Sequence, residues 1–119
     1  MTSSYLVTGS AGFIGARGAE LLLEEGAAVT GVDNLNDAYD VRLKQWRLGR
    51  LTTQSGFRFI QLDICDREAL KGVFSAGFDA VINLAARAGV TQSLGDPWVY
   101  LDTNAAGTLN LLELCRDYD

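Results

Sequence analysis

Histidine is missing from the 119 residues, and cysteine, methionine and proline are scarce. Because histidine is the commonest general base and the commonest metal ligand, its absence argues against a histidine-based active site and against most metal sites. The only two cysteines, Cys65 and Cys115, lack CxxC spacing. We expect them to be small apolar core residues in a reducing compartment. The sequence therefore predicts neither a metal site nor a disulfide.

Positive charge and long apolar runs are also scarce. Ten Lys and Arg residues against 15 Asp and Glu residues leave a formal net charge of −5. The basic residues are scattered, whereas nucleic-acid binders cluster them. No apolar run approaches the roughly 18 residues that span a bilayer, and the N-terminus lacks the pattern of a signal peptide. We therefore expect a cytoplasmic protein with neither nucleic acid nor membrane as a partner.

Apolar segments typical of strands alternate four times with segments typical of amphipathic helices. The predicted strands are 3–8, 28–33, 57–63 and 78–86, and the predicted helices are 12–25, 41–51, 67–75 and 97–118. Strands that are joined by helices run parallel, and right-handed crossovers place the helices on both faces of the sheet. The pattern predicts an α/β fold, a Rossmann-type doubly wound sheet in strand order 3-2-1-4. Residues 1–119 are expected to form one domain.

Capping residues and apolar stripes predict where the helices begin and which faces are buried. Asp66 is a predicted N-cap, and Asp96 followed by Pro97 is a strong helix start. Residues 34–40 and 87–95 have the composition of loops. The residues expected to face a core are Ile14, Leu21 and Leu22, then Val41, Leu43, Leu48 and Leu51, then Ala69, Leu70, Val73 and Phe74, and finally Leu101, Leu109, Leu112 and Cys115.

Three glycines, Gly9, Gly12 and Gly15, follow the first predicted strand and open the first predicted helix. This context favours a dinucleotide fingerprint over a simple flexible turn. Gly9 would allow the sharp turn, Gly12 would let the backbone approach a pyrophosphate, and Gly15 would let the helix pack closely. The N–H groups of the helix start favour an anion. The spacing is GxxGxxG, one residue longer in the turn than GxGxxG.

Acidic residues end the second and third predicted strands, where ligands of doubly wound sheets bind. Asp33 lies at the distance from the glycines at which a carboxylate accepts hydrogen bonds from an adenosine ribose. It would repel a 2′-phosphate, so NAD is favoured over NADP. Asp63 and Ile64 are expected to border the adenine. The small residues Ala85 and Ala86 would let the end of the fourth strand lie close to the cofactor.

The motifs together resemble a known family, and the resemblance covers essentially the whole chain. They are VTGSAGFIG (7–15), VDNLND (32–37), FRFIQLDICD (57–66), DAVINLAARAGV (79–90) and DPWVYLDTNAAGTLNLLELCR (96–116). They resemble the extended short-chain dehydrogenase/reductase family, and within it the nucleotide-sugar 4-epimerases of the UDP-glucuronate 4-epimerase type. The most type-specific segment is DNLNDAYDVRLK (33–44).

The resemblance implies NAD as the cofactor and a UDP-sugar as the substrate of a full-length enzyme. In such epimerases NAD takes a hydride from C4 of the sugar and returns it to the other face. The implied cofactor-binding residues are Gly9, Gly12, Phe13, Ile14 and Gly15 for the pyrophosphate, Asp33 and Asn34 for the ribose, Asp63 and Ile64 for the adenine, Leu84, Ala85 and Ala86 along the cleft, and Asn104 as a support of the active site.

The chain departs from the family pattern at several positions. Gly18 replaces a larger residue in the first helix, which costs about 1 kcal/mol of helix stability. Asn83 stands where the family commonly has histidine. Thr91 and Gln92 stand where this epimerase type usually has Arg and Tyr, which weakens any inference about the substrate carboxylate.

The family's catalytic Tyr-x-x-x-Lys pair has no counterpart in these residues. None of the four tyrosines, Tyr5, Tyr39, Tyr100 and Tyr118, is followed four positions later by Lys. A phenol acts as a base near neutral pH only if nearby positive charge lowers its pKa. We therefore expect a chain that stops before a fifth strand, retains the NAD-binding part and is inactive alone.

Three kinds of function stay open from the sequence. The chain is the NAD-binding part of a nucleotide-sugar epimerase or of a related dehydratase or decarboxylase, a stand-alone dinucleotide-binding module without catalysis, or a structural unit that binds nothing. The segment 80–86 is apolar and lacks the charges that protect a sheet edge. We therefore expect self-association through this fourth strand or through neighbouring helix faces.

Overall fold

Four parallel strands form one sheet in a computed structural model that describes residues 2–36, 40–87 and 90–118. They are β1 (Ser4–Thr8), β2 (Ala28–Asp33), β3 (Phe57–Gln61) and β4 (Ala80–Asn83). The strand order is β3-β2-β1-β4. This confirms the predicted Rossmann-type topology. β4 pairs with β1 and lies at an edge, although its apolar sequence is typical of a central strand.

Six α-helices and one π-helical segment surround the sheet in the described part of the chain. They are α1 (Phe13–Glu24), α2 (Val41–Thr52), α3 (Arg67–Phe74), α4 (Val90–Gly95), α5 (Pro97–Leu101), the π-helical segment (Asp102–Gly107) and α6 (Thr108–Asp117). The predicted caps are present, since the Asp66 side chain accepts from Ala69 N at 3.1 Å and the Asp96 side chain accepts from Val99 N at 3.4 Å.

Some predicted boundaries are wrong. The predicted loop 87–95 contains the helix Val90–Gly95, whose Val, Thr and Gly residues give little intrinsic helix preference. Residues 88–89 of that loop and residues 37–39 of the predicted turn 34–40 lie outside the described residues.

The third and fourth predicted strands end earlier in the structure than in the sequence pattern. The third ends at Gln61 rather than at 63, and the fourth runs only from Ala80 to Asn83. Residues 62–64 and 84–86, which follow these strands, leave the sheet and line a cleft instead.

Two apolar clusters cover the two faces of the sheet. Alternate residues of β1 point to opposite faces, so Leu6 belongs to one cluster and Val7 to the other. The Leu6 cluster is completed by Val32, Ile64, Leu70, Val73, Phe74, Leu111 and Leu114, and the Val7 cluster by Ala11, Ala16, Ala19, Val29, Leu48, Leu51 and Phe57. Helices α3 and α6 therefore cover one face, and α1 and α2 cover the other.

Several residues predicted to face the core are exposed. The buried residues of α1 are Gly15, Ala16 and Ala19, because the close approach of this helix to the sheet leaves room only for small side chains. The exposed residues that were predicted to be buried are Ile14, Leu21, Leu43, Leu101, Leu109 and Leu112. Cys65 and Cys115 are also exposed and are not core residues; both are thiols.

Candidate cofactor site

A cleft of about 180 Å³ opens at the carboxyl ends of the strands. Nine of the thirteen residues predicted to bind a cofactor line it: Gly9, Gly12, Asp33, Asn34, Asp63, Ile64, Leu84, Ala85 and Ala86. Phe13, Ile14, Gly15 and Asn104 do not line it. The fold therefore brings residues from four separate parts of the chain to the place where doubly wound sheets bind ligands.

The glycine turn between β1 and α1 has no room for a side chain at two of its three glycines. Gly9 has a φ of +67°, and a Cβ atom there would lie 2.8 Å from the carbonyl carbon and oxygen of Leu84. A Cβ atom on Gly15 would lie 2.0 Å from the carbonyl oxygen of Gly9. Gly12 N donates to Gly9 O at 3.0 Å and closes the turn. Two of the three glycines are thus required by the packing of the turn itself.

Helix α1 begins without a side-chain cap. Its N-cap is Gly12, and no side chain accepts a hydrogen bond at this end. The first N–H groups of a helix have no partner within the helix, and they carry the positive end of the helix dipole. The N–H groups of Phe13, Ile14 and Gly15 are therefore placed to bind an anion. The side chains of Phe13 and Ile14 are exposed, so only their backbone N–H groups belong to the start of the helix that borders Gly12.

Asp33 at the end of β2 contacts the glycine turn directly. Its Oδ2 accepts from Ala11 N at 3.1 Å, and its Oδ1 accepts from Leu35 N at 2.8 Å. A carboxylate has about four lone-pair positions, so these two bonds leave further acceptor capacity on a residue that lines the cleft. The same carboxylate therefore holds the turn and can accept hydrogen bonds from hydroxyl groups.

Asp63 and Asn34 meet across the cleft at the ends of neighbouring strands. Asn34 Nδ2 donates to Asp63 Oδ2 at 3.5 Å, and the other carboxylate oxygen accepts from Cys65 N at 2.9 Å. Desolvation by partial burial and, to a smaller extent, the neighbouring Asp63 carboxylate raise the pKa of the Cys65 thiol to about 11. Ile64 is buried, and its carbonyl oxygen accepts from Asn110 Nδ2 at 2.9 Å.

The wall formed by Leu84 and Ala85 is fixed by one buried hydroxyl. Thr8 Oγ1 accepts from the N–H groups of both residues at 3.0 Å and donates to Asn83 Oδ1 at 2.5 Å. Asn83 Nδ2 in turn donates to Thr108 Oγ1 at 3.2 Å. The Asn83 amide therefore links Thr8, which holds the cleft wall, to helix α6.

Asn104 lies in the π-helical segment and binds the backbone of a cleft residue, Arg87. Its Oδ1 accepts from Arg87 N at 2.8 Å, and its Nδ2 donates to Arg87 O at 3.0 Å. Arg87 itself lines the cleft. Asn104 thus contacts the site only indirectly, through the backbone of Arg87.

Other cleft residues were missed from the sequence: Val32, Asn36, Lys44, Leu62, Arg87 and Thr103. Lys44 is the most informative, because it is only 4% exposed. Its Nζ donates to Asn36 O at 2.9 Å. A signal was present, since Lys44 shares helical spacing with the buried Leu48 and Leu51, and a lysine on a buried face requires a polar partner.

The part of the chain that the structure describes contains neither a cluster of potential metal ligands nor a helix that could span a membrane. No three His, Cys, Asp or Glu residues there are grouped so that they could hold a metal ion. No helix among the same residues combines the length and the hydropathy that crossing a membrane would require.

Comparison with known proteins agrees with this geometry. A family model described as GDP-mannose 4,6 dehydratase matches residues 6–119. The chain belongs to this family. The match begins within β1 and includes the glycine turn, the cleft and the last helix, so every part of the candidate site lies inside it.

Similar proteins are sugar-nucleotide epimerases that are about three times as long. UDP-glucuronate 4-epimerase of Thermodesulfobacterium geofontis is 62% identical over 115 residues, which are 96% of this chain and 36% of that protein. UDP-glucuronic acid 4-epimerase of Bacillus cereus, solved with UDP-glucuronic acid and NAD, has a TM-score of 0.86 at 36% identity, over 94% of this chain and 36% of that one. UDP-glucose 4-epimerase of Thermus thermophilus, solved with NAD, has a TM-score of 0.77 at 37% identity, over 97% and 34%. The chain thus spans about a third of the length of these relatives.

Proposed function

We propose that residues 1–119 form one NAD-binding domain. The observation that carries this proposal is the hydrogen bond of 3.1 Å from Ala11 N to Asp33 Oδ2. It joins the two halves of a dinucleotide fingerprint, the glycine turn and the acid at the end of the second strand. The NAD complexes of similar epimerases support the choice of cofactor.

The residues at the cleft fit the parts of a dinucleotide. A diphosphate fits the uncapped start of α1, where Phe13 and Ile14 offer N–H groups and no side chain competes. A ribose fits Asp33, with Asn34 beside it, because a carboxylate accepts from two vicinal hydroxyls and repels a 2′-phosphate. The adenine would lie by Asp63 and Ile64. When bound, NAD would supply reversible hydride acceptance.

The cleft wall and its support complete the fit. Leu84, Ala85 and Ala86 form a side of the cleft, and the two alanines keep part of it free of side-chain bulk. Gly9 is needed because a Cβ atom there would lie 2.8 Å from the Leu84 backbone. Asn104 would hold this side in place through Arg87.

We further propose that this NAD-binding unit serves a UDP-sugar 4-epimerase. The similarity to the Thermodesulfobacterium geofontis and Bacillus cereus epimerases supports this reading. The 119 residues contain no Tyr-x-x-x-Lys pair, so we expect them to bind NAD without epimerising a sugar. A related dehydratase is the second candidate, because the matching family model carries a dehydratase description. A regulatory, non-catalytic dinucleotide-binding module is the third.

Titration calorimetry of the wild-type chain with NAD and NADP tests the cofactor proposal. We expect NAD to bind more tightly than NADP, and Asp33→Ala to weaken NAD binding about tenfold or more, because the ribose hydroxyls lose a charged acceptor. Asp79→Ala is the matched control, since Asp79 Oδ2 also accepts a backbone N–H, from Ser4 at 2.7 Å, but at the opposite end of the sheet. Equal NAD affinity in the wild type and Asp33→Ala contradicts the proposal.

We also propose that the chain associates with a second copy of itself, through β4 or the nearby helix faces. The exposed face of α5 and α6 supports this, since Trp98 is 71% exposed and Leu112 is 62% exposed. We also propose that the protein is located in the cytoplasm. Both cysteines are thiols, as is usual in reducing compartments.

A further inference from the structure

Arg47 on α2 reaches across to the glycine turn. Its Nη1 donates to Ala11 O at 3.2 Å. Its guanidinium carbon lies 5.7 Å from the centre of the Phe13 ring, a distance at which a cation is attracted by an aromatic face. One side chain from another helix thus contacts both the turn and the first residue of α1.

With the hydrogen bond from Arg47, both polar groups of the peptide between Ala11 and Gly12 are hydrogen-bonded. The carbonyl of Ala11 and the N–H of Gly12 belong to the same peptide plane. Arg47 binds the carbonyl, and the N–H donates to Gly9 O at 3.0 Å. On the other side of Ala11, its own N–H is held by Asp33 at 3.1 Å. This plane immediately precedes the N–H groups of α1, so its orientation sets their direction.

We propose that Arg47 is a positioning residue for the diphosphate of the bound dinucleotide. This inference rests on the proposed function. Arg47 acts through the backbone, by holding the 11–12 peptide and packing on Phe13, so that the donors of the first turn converge on one anion before it binds. Such preorganisation lowers the ordering cost of binding. Its planar guanidinium both donates and stacks, which an ammonium group does poorly.

Arg50 provides a matched control on the same helix. It lies one turn further along α2 and also stacks on an aromatic ring, since its guanidinium carbon is 5.1 Å from the centre of Trp46. Its Nη2 lies 3.4 Å from Glu20 Oε1, away from the turn. Arg47→Met and Arg50→Met therefore remove the same charge from the same helix, but only the first releases the glycine turn.

The experiment is calorimetric titration of the full chain with ADP and with adenosine, at low salt and at 0.5 M NaCl. We expect Arg47→Met to weaken ADP binding about tenfold, with adenosine affinity unchanged and with Arg50→Met near wild type. The difference should persist at high salt, where long-range attraction by an exposed charge is screened. If Arg47→Met does not fold, Arg47→Lys is expected to show the same selective loss to a smaller extent.

The results that would contradict the role of Arg47 differ from those that would contradict NAD binding itself. Wild-type ADP affinity in Arg47→Met, equal losses for ADP and adenosine, or a loss that disappears in 0.5 M NaCl would overturn the positioning role. Those results leave NAD binding by the wild type intact. If the wild type binds neither NAD nor ADP, the proposed function itself fails, and the role of Arg47 fails with it.

Discussion

At the scale of single residues, glycines at different positions have different structural roles. Gly9 and Gly15 are required because a Cβ atom at either position would collide with backbone. Gly18 lies on the same helix as Gly15, yet a Cβ atom there would have nothing within 4 Å. The glycines of α1 therefore separate into one that packing requires and one that only costs helix stability.

Alanine substitutions in α1 test this separation. We expect Gly18→Ala to stabilise the chain by about 1 kcal/mol, because it reduces the freedom of the unfolded state and favours the helix. Gly15→Ala should instead destabilise it by about 2 kcal/mol or more, since the new methyl group overpacks the turn. Urea unfolding measures both. Similar effects at the two positions would contradict the packing assigned to Gly15.

Cys65 is the second case in which the surroundings decide the behaviour of a residue. It was expected to be a core residue, but it is exposed, and its Sγ donates to Asp102 O at 3.3 Å. Desolvation by partial burial and the carboxylate of Asp63 raise the pKa of the thiol to about 11. The reactive thiolate is therefore rare at neutral pH.

The pH profile of alkylation tests the state of this thiol. A raised pKa means that Cys65 stays protonated through pH 7–9, so its alkylation by iodoacetamide should be slow there and rise only towards pH 11. Peptide mass spectrometry measures the rate at this site. The urea-unfolded chain is the control and should react as an ordinary thiol, with a pKa of about 8.5. A native-state midpoint near that ordinary value would contradict the assignment.

At the scale of elements, the helix starts differ in a way that matches the site. Helices α2, α3 and α5 each begin with an aspartate whose side chain accepts a backbone N–H: Asp40, Asp66 and Asp96. Helix α1 has no such cap. Capping aspartates satisfy N–H groups and add charge at the favourable end of the dipole. Unlike these three starts, the uncapped start of α1 lies beside the cleft, which Gly12 lines.

Removing a cap away from the cleft should affect stability alone. We expect Asp66→Ala to lower the free energy of unfolding by about 1 kcal/mol, because the N–H of Ala69 loses its acceptor. NAD affinity should not change, since Asp66 does not line the cleft. Urea unfolding and calorimetry with NAD measure the two quantities. A stability change near zero would show that water replaces this cap at no cost.

At the scale of the whole molecule, one face of the α5–α6 region is exposed within the part of the chain that the structure describes. Leu111 and Leu114 of α6 are buried in the cluster with α3. Trp98, Leu109 and Leu112 face outward and are more than half exposed. Exposed apolar side chains of this kind, and an edge strand such as β4, are features that promote association.

Light scattering coupled to size exclusion tests self-association. We expect the wild type to exceed the monomer mass as its concentration rises, and Leu112→Glu to shift the chain towards the monomer, because a charge at an apolar contact is costly. Leu43→Glu is the control, since Leu43 is also exposed but lies on α2, across the sheet. A wild-type monomer at high concentration would refute the proposal.

The sequence by itself determined the elements, their order and the chemistry at the strand ends. Glycine at a positive φ, aspartate caps and apolar strands act through local backbone preference, which needs no distant partner. Gly9, Asp66 and the βαβ alternation could therefore be predicted. The position of Asp33 at the site could also be predicted, because the ends of parallel strands meet at one edge of a sheet.

Only the tertiary structure decided which apolar residues are buried and which polar ones support the cleft. Helix α6 carries two apolar stripes, and the sequence favoured Leu109 and Leu112, while the fold buries Leu111 and Leu114. The choice depends on what α3 and the sheet present to the helix, which is not encoded within α6. Arg47 was missed for the same physical reason, because it donates to the backbone carbonyl of Ala11, which only folding brings within reach.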